Sequence, residues 1–182
     1  MRKHFGLLCF LVLILAGTVS AQTDKGDWMV GGNLALNTTT NNSNFTLTPS
    51  AGYFFADNFV AGGIFSFAHS KTGATKTNSI GAGPFARYYF LKGNLKPMVL
   101  AEFEFGTNSS RVSSTKVKSN YGSMLLGGGL AAFVNQNVAI ETIAGYGRTK
   151  LQHYDGEGGF VLKVGFQVYL SPRGMLDTYR KN

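Results

Sequence analysis

Two carboxylates, Glu102 and Glu104, stand two residues apart in a segment that otherwise alternates apolar side chains, Val99, Ala101, Phe103 and Phe105. In an extended chain, residues i and i+2 share a face, so the pair could act as general acid and base on one substrate. No nucleophile or positioned histidine accompanies them, and the residues favour a structural role. Beyond the leading segment the histidines are His69 and His153. A hydrolytic site would have to be built from His69 with Ser70, or from His153 with Asp155 or Glu157, and the His-x-Ser spacing of lipid A deacylases is absent. No phosphate-cradling glycine loop, dinucleotide fingerprint or zinc-ligand spacing occurs. The chain therefore reads as non-enzymatic, with no catalytic, cofactor or metal site.

The remaining charges become intelligible once the elements that carry them are drawn. Segment 160–170 places Phe160, Leu162, Val164, Phe166, Val168 and Leu170 on one face and Lys163, Gly165, Gln167 and Tyr169, with Val161, on the other. A period of two over eleven residues describes a β-strand with one apolar face, as long as a tilted strand crossing a bilayer. Similar segments recur at 28–38, 45–55, 59–68, 79–90, 96–106, 121–134 and 138–147. Each sets residues such as Leu34, Leu47 and Phe103 against a polar opposite face. Arg87, Glu102, Glu104, Glu141 and Lys163 all fall on the polar face. If the apolar face meets lipid, these five project into a lumen, where opposite charges must pair because an isolated buried charge is very costly. Arg87 and the two glutamates, on adjacent strands, are the expected contacts. The alternative, an ion pathway, uses the same residues.

The N-terminus carries Arg2, Lys3 and His4, an apolar run from Leu7 to Ala16, and small residues up to Ala21. This is the pattern of a secretory signal peptide cleaved before Gln22. Its removal takes away Cys9, the single cysteine, and leaves 15 basic against 9 acidic residues. Disulfides and thiol catalysis are thereby excluded, and roughly 160 residues suit one small barrel. No later segment is apolar enough for a helical span, but barrel strands hide their apolar face in alternation.

The connections alternate in character. Segments 56–58, 91–94 and 135–137 are short, whereas 39–44, 69–78, 107–120 and 148–157 read as long polar loops. Short turns on one side and long loops on the other is the outer-membrane arrangement. The loops carry Lys71, Lys76, Arg111, Lys116, Lys118, Arg148 and Lys150, a basic rim suited to lipopolysaccharide phosphates. Nucleic acid would also attract basic residues, but secretion and the lack of a recognition motif argue against it. Trp28, Tyr53, Phe55, Phe59, Tyr88, Tyr89, Phe90, Phe133 and Tyr169 gather near the short turns as an expected interfacial girdle. Pro49 and Pro84 lie inside strands, where a bulge would accommodate each missing donor.

The run Gly83-Pro84-Phe85-Ala86-Arg87-Tyr88-Tyr89-Phe90, the segment Gly52-Tyr53-Phe54-Phe55-Ala56-Asp57-Asn58 and the closing strand together resemble the small outer-membrane β-barrel family, which includes OmpX-like and OmpA-barrel-like proteins. The resemblance covers 22–170. It implies an eight-stranded antiparallel up-and-down barrel in the outer membrane of a Gram-negative envelope, monomeric, with a structural or surface-interaction role in adhesion, envelope integrity or small-solute passage. Lys163, Gly165, Val168 and Leu170 resemble the signal read by the barrel-assembly machinery, although Leu170 stands where the family usually has an aromatic. Residues 171–182 form a basic tail beyond the barrel. Two rival readings remain: an outer-membrane lipid-modifying hydrolase using a rim histidine, and a soluble lipocalin-like barrel with its apolar face turned inward.

Overall fold

The computed structural model describes residues 23–39, 42–73, 75–91, 93–112, 115–151 and 156–172. The expected signal peptide and most of the basic tail lie outside these residues. Eight strands follow in chain order: β1 (Trp28–Thr39), β2 (Asn42–Ala56), β3 (Phe59–Thr72), β4 (Thr75–Tyr89), β5 (Leu95–Val112), β6 (Thr115–Phe133), β7 (Val138–Leu151) and β8 (Glu157–Leu170). Each pairs antiparallel with the next, and β1 pairs with β8 from Trp28↔Leu170 to Leu34↔Val164, closing the barrel. That seam pairs seven residues, so it removes the sheet edge on the turn side of the barrel, where strands cross lipid without unpaired backbone groups, and residues 35–39 of β1 lie beyond the end of the β1–β8 ladder.

Alternation decides which side chains face out. Leu34, Leu47, Phe103, Leu162 and Phe166 are all exposed, Phe166 by 53% and Leu162 by 58%. Arg87, Glu102 and Glu141 are buried inside. This is the opposite of a lipocalin-like barrel, which would put its apolar face around a ligand and its charges in water. The ten residue steps from Phe160 to Leu170 give about 33 Å of strand, or about 25 Å of height at the usual tilt, enough to cover an apolar band.

The expected long loops are mostly strand. β3 and β4 stay paired out to Thr72↔Thr75, and β5 and β6 out to Val112↔Thr115. The connections on that side shrink to 40–41, 73–74, 113–114 and 152–156. Ser, Thr and Asn in these segments satisfy backbone pairing as well as apolar residues do. Hydrophobic alternation therefore stops where lipid stops and not where hydrogen bonding stops. The short connections on the other side agree with expectation, and Asn58 takes a left-handed backbone (φ 65°) in the turn between β2 and β3.

The prolines need no bulge. Between β2 and β3 the register passes from Leu47↔Phe67 to Ser50↔Ile64 without a shift, skipping Pro49. Between β4 and β5 it passes from Ala82↔Phe105 to Phe85↔Glu102, skipping Pro84. Each proline interrupts the ladder on one side and keeps its pairing on the other, Gly32↔Pro49 and Gly63↔Pro84. The one irregularity in the β2–β3 register lies instead between Phe54 and Ala56, beside the turn.

The girdle also needs revision. Trp28, Tyr53 and Phe55 stack edge to face in sequence, as do Tyr88 and Phe90, and Phe59 is exposed beside them. Tyr89, Phe133 and Tyr169 belong to the interior, where they are buried. Neighbours on a strand point to opposite faces, so Tyr88 and Tyr89 cannot both meet lipid.

Candidate functional site

Arg87 on β4 extends across the lumen to β7, where its Nη1 donates to Glu141 Oε2 at 2.7 Å. Its Nη2 lies 3.5 Å from Glu102 Oε1 on the adjacent β5, and its guanidinium sits 4.8 Å above the Phe85 ring. Glu102 Oε2 accepts in turn from Lys163 Nζ on β8 at 2.6 Å. Both bonds to strands that are not neighbours brace the barrel across its axis. The other oxygen of Glu141 is held by two phenols: the Tyr89 and Tyr169 hydroxyls each lie 2.9 Å from Oε1 and 3.0 Å from one another. An eight-stranded interior is just wide enough for such side chains to fill it.

Four of the five expected lumen charges thus form one network. Glu104 does not join it. Two residues further along β5, it accepts from Ser66 Oγ at 2.5 Å and from the Tyr121 hydroxyl. Arg87 stands opposite Leu100, so Glu102 is two residues along β5 from it and Glu104 four, and the second interval adds about 6.6 Å that the Arg87 side chain does not span.

Sequence reasoning missed the lower tier. Phe54, Tyr89, Phe133 and Tyr169 pack together toward the turn side, with Phe133 and Tyr169 centroids 4.8 Å apart. Lys96 is a further buried cation, donating from Nζ to Thr23 Oγ1 at 2.5 Å with the Phe133 ring 5.6 Å away. The segment before β1 closes this end: Gly26 N donates to Phe54 O at 2.9 Å, and Asn58 N to Thr23 O at 2.7 Å. Alternation in β5 and β8 already assigns Lys96 and Tyr169 to the interior. The Thr23 contact depends on the fold, being 73 residues distant. On the loop side of the network lies a cavity of about 520 Å³ lined by Thr46, Thr48, Glu104, Glu157 and Lys163 among others.

The seven basic residues assigned to loops stand on strand extensions, and all are exposed on the outward parity. Lys71 is opposite Lys76, Lys76 opposite Arg111, and Arg111 opposite Lys116, making a row across β3, β4, β5 and β6. Lys118 lies two residues inward along β6, and Arg148 and Lys150 lie on β7. Among the described residues every carboxylate in the strands faces inward, namely Glu102, Glu104, Glu141 and Glu157. His69 is outward and its Nδ1 lies 2.6 Å from Asn78 Oδ1, whereas Ser70 has the opposite parity. His153 and Asp155 lie outside the described residues.

In the closing strand, Lys163 belongs to the lumen network while Val168 and Leu170 point outward. Gly165 is buried, and a methyl group there would overlap Asn33 Oδ1 and come within 3.0 Å of Gly32 O. The folded barrel thus has its own reason for glycine at this position.

A closed eight-stranded barrel with lipid-facing apolar residues and an internal ion network defines the class as a small outer-membrane barrel. The chain belongs to the outer membrane protein beta-barrel domain family, whose sequence model matches residues 5–173. Its fold is similar to the crystal structure of the N-terminal β-barrel domain of Pseudomonas aeruginosa OprF, with a TM-score of 0.56 and 14% identity over 82% of this chain and 100% of that one. It is also similar to Neisserial surface protein A, with a TM-score of 0.54 and 18% identity over 78% of this chain and 93% of that one. No curated protein sequence is significantly similar to the chain.

Proposed function

We propose that this protein is a non-enzymatic, non-conducting barrel that serves the envelope as a structural and surface element. The observation that carries this reading is the filled lumen: Arg87 and Glu141, 1% and 0% exposed, bridge it, and buried Phe54, Tyr89, Phe133 and Tyr169 fill the tier beneath. Salt bridges of this kind act as a plug when no continuous polar path passes them. Export through the 1–21 segment precedes insertion, which the assembly machinery directs through Lys163, Gly165, Val168 and Leu170. The barrel then acts as a monomer.

Hydrolysis at the rim has less support. His69 and Ser70 are consecutive on β3 and project to opposite faces, so the two cannot form a nucleophile–base pair. The deciding measurement is conductance in planar bilayers. The wild-type barrel is expected to give no discrete current steps, and the Arg87→Ala/Glu141→Ala variant to give small ones. Regular steps from the wild type would overturn the plug in favour of solute passage.

A further inference from the structure

The outward cations have a placement that a merely solvated rim does not require. Residues directly opposite on paired strands hold their Cβ atoms about 5 Å apart, and like charges there repel. Lys71, Lys76, Arg111 and Lys116 occupy four such positions in one unbroken row. Among the described residues no carboxylate shares that face, and none of the four lies in a salt bridge. Soluble surfaces intersperse the two signs; this one separates them by face. An external anion is what the row lacks.

Height and shape identify the anion. From Phe59 to Lys71 on β3, and from Tyr88 to Lys76 on β4, is twelve residues, or about 30 Å of height at the usual tilt. The aromatic girdle marks one membrane surface, so at β3 and β4 the row stands just beyond the far edge of an apolar band of about 25 Å. That is the head-group level of the outer leaflet, and the strand tilt shifts the row by about 9 Å along the barrel axis between β3 and β6. Immediately below the row lies a groove of about 630 Å³ on the outer wall, with Phe45, Phe67 and Ile80 toward the band and His69, Lys116 and Lys118 toward the row. The His69–Asn78 and Thr107–Asn120 hydrogen bonds tie neighbouring strands together there. An apolar floor capped by cations is complementary to an acyl chain ending in a phosphate-bearing head group.

We infer that the outer wall of β3–β6 is a binding site for a phosphorylated lipid of the outer leaflet, lipid A in chemical class. Its phosphates lie along Lys71, Lys76, Arg111 and Lys116, and an acyl chain lies over Phe45, Phe67 and Ile80. Four strands at about 4.8 Å spacing make the row about 14 Å long, enough for more than one phosphate. The site deepens the proposed surface role and does not depend on whether the lumen is sealed.

The test is native mass spectrometry of the detergent-purified barrel with diphosphoryl lipid A, monophosphoryl lipid A and inorganic phosphate. The wild type is expected to retain the diphosphoryl lipid best and the monophosphoryl form less well. Millimolar inorganic phosphate should not displace either, since it lacks the acyl contact. The Lys71→Gln/Lys76→Gln/Arg111→Gln/Lys116→Gln variant should bind the diphosphoryl lipid at least tenfold more weakly, and the variant with arginine at all four positions should bind as the wild type does. Heat-modifiable gel mobility reports that each variant is folded. If the glutamine variant does not fold, Lys116→Gln/Lys118→Gln within the groove should still weaken binding severalfold. A folded glutamine variant with wild-type affinity, or no preference for the second phosphate, overturns the inference. Conductance is read separately, so a leaky barrel that still binds lipid A would refute the plug and leave this site standing.

Discussion

Replacing Glu141 with alanine should destabilise the barrel more than any other single change in the lumen network. Glu141 is fully buried and accepts from Arg87, Tyr89 and Tyr169. Its loss leaves the Arg87 guanidinium in the interior with only Glu102, which stands 3.5 Å away and is already engaged by Lys163. Orphaning a buried charge costs about 3–5 kcal/mol. The two phenols still have one another at 3.0 Å, so only one hydroxyl loses its acceptor, adding about 1–3 kcal/mol. A total near 5 kcal/mol is expected, by summing the middle to lower parts of these ranges. Glu102→Ala should cost far less, about 1–2 kcal/mol. Arg87 would keep its 2.7 Å bond to Glu141, and the Lys163 side chain, 17% exposed beside the loop-side cavity, can recover solvation. The gap of about 3 kcal/mol corresponds to roughly two decades in the folded-to-unfolded ratio. Urea titration of vesicle-inserted protein measures it, read by gel mobility and by emission from Trp28, the single tryptophan. The Arg87→Leu/Glu141→Leu variant, which removes both charges, should be more stable than Glu141→Ala alone. Equal midpoints for Glu141→Ala and Glu102→Ala, or a double variant weaker than Glu141→Ala, would refute the ranking.

Two further outcomes are expected. Phe166→Arg puts a cation on the lipid face of β8, where Phe166 is half exposed, and should cost about 2–4 kcal/mol at mid-bilayer depth; normal outer-membrane levels of this variant would contradict the assignment of faces. Gly165→Ala should reduce folding into vesicles even without any assembly machinery, because the added methyl meets Asn33 and the Gly32 carbonyl. Partial recovery by Asn33→Ala in the same chain would place the defect in packing, whereas a defect confined to cells would place it in recognition of the closing strand.

The particular residues show where sequence pattern suffices. Strand number and the apolar side of β8 follow from strict alternation, since one face of each strand meets hydrocarbon and every second residue records it, whereas neighbour order rests on the pattern of connections and on the family resemblance. The inward parity of Arg87, Glu102, Glu104, Glu141 and Lys163 comes from the same rule. The girdle reading failed for Tyr89, Phe133 and Tyr169 because it counted nearness to a turn and set parity aside. The loop reading failed at 69–78 and 107–120 because water on both faces erases the alternation while backbone pairing continues.

By itself, then, the sequence sorted the residues of each strand onto two faces, a local consequence of a two-residue period, and its signal segment, turn pattern and aromatic row pointed the apolar face at lipid. Only the tertiary structure decided which inward charges meet. Arg87 pairs most closely with Glu141, three strands away, rather than with Glu104 next door, because pairing depends on barrel diameter and on height along the axis. The same closure brings Lys71, Lys76, Arg111 and Lys116, scattered over 46 positions, into one row. Register, a property of paired strands and not of any single one, sets that arrangement.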